Sequence, residues 1–202
     1  MNILHLDSSP QALSTSVSRQ LSSATVARLQ FKYPNSTVVY RDLATNAPAH
    51  LTADDLAGAF SPVEQWSEAT KAVMVINDAI LNEFQNADII VIGVPMYNFS
   101  TPSSLKSWID RVARVGVTFK YTEKGAEGLV KGKSVVILSS RGGFYADTAW
   151  GPGLDHQEKY LQDFFAFLGI TDCTRIRAEG TSMGEPIKTN NINQALAHIL
   201  AL

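Results

Sequence analysis

Hydroxyl side chains are concentrated in one loop near the start of the chain, between an apolar segment and a stretch with helical spacing. Such hydroxyls, together with the free backbone N–H groups of a helix N-terminus, can donate hydrogen bonds to a phosphate. Ordinary helix capping is the alternative interpretation, although it needs only one hydroxyl. The loop holds neither a glycine-rich dinucleotide motif nor a P-loop lysine, which favours a monophosphate. The candidate donors are Ser9, Ser14, Thr15, Ser16 and Ser18.

A second candidate loop, residues 95–100, follows the most continuously apolar segment of the chain, residues 87–94. It offers two aromatic rings, a thioether and an amide, which are suitable neighbours for a flat, polar ring system. Packing of the apolar members against an adjacent helix is an equally good interpretation of these residues alone. The side chains in question are Met96, Tyr97, Asn98 and Phe99.

A third candidate loop begins at the end of another apolar segment and contains a pair of glycines, Gly142 and Gly143. Because glycine has no Cβ, a flat ligand can approach this backbone closely and accept hydrogen bonds from its N–H groups. A tight turn that merely requires positive φ is the alternative, and a Gly-Gly pair alone is weak evidence against it. The neighbouring polar residues are Ser139, Ser140 and Arg141.

Four segments of the chain resemble the FMN-dependent NADH-azoreductases, and the resemblance extends over nearly the whole sequence. Members of that family are flavodoxin-like homodimers with FMN at the dimer interface, and they reduce quinones and azo dyes with NADH or NADPH. The resemblance therefore implies bound FMN, NADH or NADPH as electron donor, a quinone or azo substrate and a homodimer. The four segments are residues 95–99, 116–122, 125–132 and 140–143.

The same resemblance assigns roles to individual residues. It implies that the FMN phosphate and ribityl chain are held by Ser9, Ser16, Val17 and Ser18, while the isoalloxazine is lined by Met96, Tyr97, Asn98, Phe99, Ser140, Arg141, Gly142 and Gly143. Either Arg141 or nearby N–H groups would stabilise negative charge at flavin N1 and O2. The sequence departs from the usual pattern where Leu13 and Ser14 lengthen the first loop, and again across residues 145–155.

Three aromatic residues are candidates for a substrate pocket: Phe119, Tyr121 and Tyr145. Phe119 and Tyr121 immediately precede a glycine-punctuated loop, and one or both could border the pocket of the partner subunit. Simple packing is an equally good interpretation of both. We predict no catalytic side chain, because the hydride moves to and from flavin N5. If one ring face serves donor and acceptor in turn, the kinetics are ping-pong.

Composition narrows the class of protein further. A net charge of −2 over 202 residues gives no basic stripe for a nucleic-acid backbone. The histidines and acidic residues lack metal-ligand spacing, so we predict no metal. A single cysteine suits a reducing compartment, and neither a basic leader nor an apolar run of about 18 residues is present. We therefore expect a cytoplasmic protein that does not enter the membrane.

Short apolar runs alternate with longer stretches of helical spacing, which is typical of βαβ units. Their number predicts an α/β fold: one domain over residues 1–202, with a doubly wound, five-stranded parallel sheet and helices on both faces. The resemblance implies that this domain is flavodoxin-like. In such sheets ligands bind beyond the carboxyl ends of the strands. We predict strands at residues 2–6, 37–40, 87–94, 134–138 and 174–178, and helices ending near residues 32, 86, 112, 168 and 202.

Two details of this prediction concern the second quarter of the chain. Residues 43–62 have no recognisable pattern, and their length suggests a functional excursion. The following helix, from Trp66, carries Val73, Ile76, Ile80 and Phe84 at a spacing that places them on one face.

Two other functions remain open at this point. A flavodoxin-type protein would exchange single electrons with protein partners, but such proteins are typically strongly acidic, which this chain is not. A binding or regulatory domain that kept the fold and lost the flavin is the other alternative.

Overall fold

A computed structural model describes residues 1–146 and 148–202. Its seven strands are β1 (Asn2–Asp7), β2 (Thr37–Asp42), β3 (Ile89–Pro95), β4 (Phe119–Thr122), β5 (Gly125–Gly128), β6 (Ser134–Ser140) and β7 (Asp172–Ala178). Five of them form a fully parallel sheet in the order β2-β1-β3-β6-β7. Counted along the chain, this is the order 2-1-3-4-5 of flavodoxin-like folds. The predicted fold class and the five predicted strands are therefore confirmed.

The described residues form seven α-helices: α1 (Val17–Lys32), α2 (Ala53–Phe60), α3 (Glu68–Asn86), α4 (Ser103–Val112), α5 (Gly151–Leu154), α6 (Glu158–Leu168) and α7 (Glu185–Leu200). Helices α1 and α7 cover one face of the sheet, and α3, α4 and α6 cover the other. No helix in the described part of the chain is both long and apolar enough to span a membrane.

The central strand β3 is buried along its whole length, as its continuous run of apolar residues predicts. Alternate side chains enter two separate cores. Ile90 and Ile92 join the core that contains Trp108 and Phe165, whereas Val91 joins the core under α1 and α7. Both cores fix β3 rigidly, so the loop that follows Pro95 starts from a well-determined position.

The segment without a recognisable pattern, residues 43–62, contains helix α2. A capping box begins it: Thr52 Oγ1 accepts from the N–H of Asp55, and the Asp55 carboxylate accepts from the N–H of Thr52. The buried Asp55 carboxylate also accepts from Asn77 on α3 and pairs with Arg111 on α4. This helix is anchored largely by polar contacts, which explains why hydrophobic spacing did not reveal it.

Helix α3 corrects one prediction. It begins at Glu68 behind the N-cap Ser67, and of the four residues predicted to share a face only Ile80 and Phe84 are buried. Val73 is half-buried and Ile76 is exposed. The buried face instead comprises Thr70, Met74, Asn77, Ile80, Leu81 and Phe84, because polar Thr70 and Asn77 bond to residues of α2.

Other boundaries also differ from the predicted ones. Helix α7 starts six residues earlier than residue 191, because Pro186 is acceptable in a first helical turn. Strands β4 and β5 form a separate antiparallel hairpin that the strand prediction lacks. Three of the four residues of each strand are exposed and neither strand is an apolar run, so tertiary contacts rather than local pattern determine the hairpin.

Candidate cofactor site at the strand ends

The three predicted loops meet at one cavity of about 410 Å³, beyond the carboxyl ends of β1, β3 and β6. This volume lies within the range of ordinary small-molecule sites. The predicted residues that line it are Ser9, Ser16, Val17, Met96, Tyr97, Ser140 and Gly142. Residues separated by as many as 133 positions thus contribute to one site because parallel strands bring their carboxyl ends to the same edge.

One end of the cavity is the N-terminus of α1. Ser16 is its N-cap, and its Oγ accepts a hydrogen bond from the N–H of Arg19 at 3.4 Å. The N–H groups of Val17 and Ser18 have no partner among the described residues, so they are free to bind an anion. The Ser18 side chain is buried, with its Oγ 3.3 Å from Ser16 Oγ. This helix end therefore carries a side-chain cap and also presents free N–H groups.

Behind this end, Arg19 fixes the first loop. Its Nε and Nη2 donate to the Ser9 carbonyl at 3.1 and 2.6 Å, while Nη2 also pairs with Asp42 Oδ1 at 2.6 Å. Nη1 donates to the Tyr40 hydroxyl at 2.9 Å. Burial raises the pKa of Asp42, but the hydrogen bond from Arg19 and one from the N–H of Ala44 outweigh that effect and leave it below its ordinary value. Sequence reasoning did not identify this network.

The second loop makes a tight turn at the cavity rim. Tyr97 and Ser100 exchange two backbone hydrogen bonds of 3.0 Å each, and the two residues between them have positive φ, 48° at Asn98 and 70° at Phe99. Positive φ is uncommon for asparagine and a strained state for phenylalanine. The turn exposes the side chains of Asn98 and Phe99. The Phe99 ring contacts the Tyr145 ring edge to face, with 6.2 Å between the two centroids.

In the third loop, neither Gly142 nor Gly143 has positive φ, so a turn that requires it does not explain this pair. Their carbonyls accept from the N–H groups of Ser182 and Gly180, each at 3.0 Å. Their own N–H groups donate to no described residue. A Cβ on Gly142 would lie 3.0 Å from Ser182 Oγ, whereas one on Gly143 would meet only Tyr145 at 3.6 Å. The free N–H groups suit the acceptors of a flat ring.

Arg141 takes a different position from the one predicted for it. Its side chain is 1% exposed and does not line the cavity. Nη2 lies 2.8 Å from Asp155 and 3.2 Å from Glu158, and Nη1 lies 3.2 Å from Glu179. The guanidinium is thus surrounded by carboxylates behind the loop. Its charge is neutralised there, and its pair with Asp155 fastens that residue to the sheet.

The three candidates for a substrate pocket lie in two places. Tyr145 stands beside Phe99 and contacts Trp150 edge to face at 5.3 Å. Phe119 is 8% exposed and packs on Phe167, whereas Tyr121 is 72% exposed. Phe119 and Tyr121 both border a separate cavity of about 230 Å³ next to α2 and α3. Within one chain, only Tyr145 is close to the strand-end cavity.

Several cavity residues escaped the sequence analysis. Thr181 and Ser182 follow β7, and the rule that ligands bind at carboxyl ends of strands would have included them. Lys188 lies in the first turn of α7 and carried no local signal. The remaining one is Gln11, whereas Thr15 and Pro95 lie in loops that the sequence had already indicated. Across the described chain, no three His, Cys, Asp or Glu side chains are grouped as a metal site requires.

Three features define a flavodoxin-like α/β protein: the parallel sheet, its strand order and the polar cavity at the carboxyl ends of the strands. The chain belongs to the family described as Flavodoxin-like fold, whose model matches residues 1–202.

Curated relatives and solved structures agree with this assignment. A protein of Legionella pneumophila named FMN-dependent NADH:quinone oxidoreductase is 48% identical over 203 residues, covering 100% of this chain and 97% of that protein. One of the same name from Delftia acidovorans is 46% identical over 200 residues, covering 99% and 93%. The azoreductase structure from Bacillus anthracis str. Sterne has a TM-score of 0.90 at 28% identity, with both chains fully covered. An FMN-dependent NADH-azoreductase of B. anthracis str. Ames Ancestor, solved with FMN, gives 0.89 at 27% identity, covering 99% and 96%.

Proposed function

We propose that this protein is an FMN-dependent oxidoreductase that passes electrons from NADH or NADPH to quinones and reductively cleaves aromatic azo compounds. The observation that carries the proposal is the convergence of the three loops on one cavity. This cavity has backbone N–H groups without partners among the described residues both at the α1 N-terminus and in the third loop. The names of the relatives, at 46–48% identity over nearly the whole chain, support the same cofactor and donor.

The residues present fit FMN. At one end, the hydroxyls of Ser9 and Ser16 and the free N–H groups of Val17 and Ser18 suit a phosphate at a helix N-terminus. At the other, Met96 and Tyr97 form an apolar wall, and the N–H groups of the third loop face ring acceptors. No P-loop lysine or dinucleotide motif competes with this arrangement.

When bound, FMN supplies a hydride acceptor and donor at its N5 atom, so the protein needs no nucleophile. The protein's own part is orientation. The α1 N-terminus would hold the phosphate, Arg19 keeps the Ser9 backbone in place, and the tight turn at Asn98 and Phe99 lies at the rim of the site. If one ring face serves both reactants, donor and acceptor occupy the same position in turn and the kinetics are ping-pong.

We also propose a homodimer with the site completed at the interface. Tyr121 is exposed and distant from the cavity of its own chain, and an apolar surface surrounds it. Covering such a surface in a symmetric dimer would remove it from water. Tyr121 would then border the partner's cavity. A cytoplasmic location suits the single cysteine, Cys173.

The test is an initial-rate study of purified protein with NADH and a quinone such as menadione at several fixed concentrations. We expect FMN-dependent turnover and parallel double-reciprocal lines. Intersecting lines over a wide range would exclude the shared position, while leaving the activity intact.

The two alternatives predict other results. A flavodoxin-type electron carrier would hold FMN but oxidise NADH no faster than free FMN does. A domain that lost its cofactor would be isolated colourless and would not bind added FMN in a fluorescence titration. Either result would contradict the proposed function.

A further inference from the structure

Lys188 is the only charged residue among the described residues that line the strand-end cavity. The remaining lining consists of hydroxyls, amides, backbone groups and apolar side chains. The positive charge expected from Arg141 is not available there, because that guanidinium is surrounded by Asp155, Glu158 and Glu179. Any full positive charge that this chain presents to a ligand in the cavity therefore belongs to Lys188.

The location of Lys188 is unusual for a lysine. It lies in the first turn of α7, which begins at Glu185, and helix N-termini disfavour cations because of the helix dipole. No side chain caps this N-terminus. The ammonium group is 3.0 Å from Glu185 Oε1, but Glu185 is well exposed, and surface pairs of this kind contribute little to stability. A stabilising role does not account for a cation at this position.

The wall that carries Lys188 is continuous with the third loop. Thr181 N–H donates to the Arg141 carbonyl and Ser182 N–H donates to the Gly142 carbonyl, each at 3.0 Å. That loop is the one assigned to the flavin ring, whereas the phosphate has its own donors at the start of α1. The bonds from residues 181 and 182 to that loop support placing the charge of Lys188 on the ring side of the cavity.

We infer that Lys188 stabilises the negative charge that the flavin ring gains on reduction, and so sets the relative affinity of the site for reduced and oxidised FMN. The inference rests on the proposed function, since it requires FMN in this cavity. A positive charge beside the ring favours its more negative state, because the attraction is present mainly after reduction.

A matched control exists elsewhere in the chain. Lys71 lies in the first turn of α3, which begins at Glu68, and its Nζ is 2.7 Å from Glu68 Oε1 at the same three-residue spacing. It lines no part of the strand-end cavity. A lysine that only pairs with the glutamate of its own helix would behave like Lys71.

The experiment compares wild-type protein with Lys188→Gln, Lys188→Arg and Lys71→Gln. Dissociation constants of oxidised FMN and of riboflavin are measured by fluorescence titration at pH 7, and the reduction potential of bound FMN is measured by equilibration with a reference dye. We expect Lys188→Gln to reduce the preference for reduced over oxidised FMN about tenfold, which lowers the two-electron potential by about 30 mV. Lys188→Arg should retain most of the wild-type preference for reduced FMN, and the potential of Lys71→Gln should match that of wild type.

Three results would overturn the inference. An unchanged potential in Lys188→Gln would mean that this lysine serves only its pair with Glu185. A weaker affinity for FMN in both redox states, with riboflavin unaffected, would place the ammonium on the phosphate. A wild-type protein that binds no FMN would overturn the proposed function together with this inference, whereas the first two results leave that function standing.

Discussion

At the scale of single residues, two kinds of group shape the cavity: hydroxyls with free N–H groups at one end and glycines at the other. Ser16 has two roles, because its Oγ caps α1 and also lines the cavity. The Ser18 hydroxyl lies within hydrogen-bond distance of Ser16 alone among the described side chains. Gly143 leaves open space where any other residue would project. These differences allow their contributions to be separated experimentally.

Replacing Ser16 or Ser18 with alanine should weaken FMN binding about ten- to a hundredfold, because a hydrogen bond to a charged acceptor contributes roughly 1.5–3 kcal/mol. Riboflavin, which lacks the phosphate, should lose far less. Ser16→Ala should also lower the free energy of unfolding by about 1 kcal/mol through the lost cap. Fluorescence titration with both flavins and a urea melt measure these effects. Equal losses for FMN and riboflavin at both positions would move the phosphate to another loop.

Gly143→Val should abolish flavin retention in a folded protein. A Cβ at this position meets only the Tyr145 ring at 3.6 Å, so the chain itself tolerates the substitution, while the two methyl groups would occupy the space of the ring. Flavin absorbance of the purified variant and its circular dichroism test the two parts. A folded variant with full flavin content would show that no ligand approaches this backbone.

At the scale of elements, a network of buried charges connects β6, β7, α6 and the 145–155 loop. Glu158 is at its centre: its carboxylate accepts from Ser139 at 2.5 Å and pairs with Arg141 and Arg177. Burial alone would raise the pKa of Glu158, but the hydrogen bond from Arg177, the charge of Arg141 and the Ser139 hydroxyl outweigh it, so the pKa is lowered. Glu179 adds hydrogen bonds to the N–H groups of Tyr145 and Ala146.

The lowered pKa of Glu158 predicts acid sensitivity. A carboxylate whose folded pKa lies below its unfolded value of about 4.3 stabilises the protein above that pH, and the contribution is lost as the pH falls through the folded pKa. Glu158→Gln should therefore be less stable than wild type at pH 7, by roughly 1–3 kcal/mol, with the difference shrinking below about pH 4. Urea melts at both pH values test this, with the exposed Glu68→Gln as control. A difference that is independent of pH would contradict the assignment.

At the scale of the whole molecule, the exposed apolar surface near Tyr121 is the main unexplained feature of an isolated chain. It includes the side chains of Leu56 and Phe60 on α2, which border the same cavity as Tyr121. A surface of this kind beside a substrate-pocket candidate supports a dimer whose partner chain completes the site.

Phe60→Glu should weaken the proposed dimer at least tenfold, because it would place a charge in an apolar interface. Phe31→Glu is the matched control, since Phe31 is similarly exposed, on α1, and borders neither cavity. Sedimentation velocity over a range of protein concentrations measures the association. A wild-type chain that remains monomeric and fully active at nanomolar concentration would contradict the dimer.

The sequence alone determined the number, order and parallel arrangement of the main strands, because buried parallel strands require continuous apolar runs and long crossovers. With the rule for carboxyl ends, it also indicated three of the loops that line the strand-end cavity. The tertiary structure alone decided side-chain direction: the Arg141 side chain points to carboxylates from α6 and the end of β7, and Lys188 lines the strand-end cavity. Such directions depend on partners distant in sequence, whose proximity no local pattern records. For the same reason α2, held by Asp55 to α3 and α4, became visible only in the folded chain.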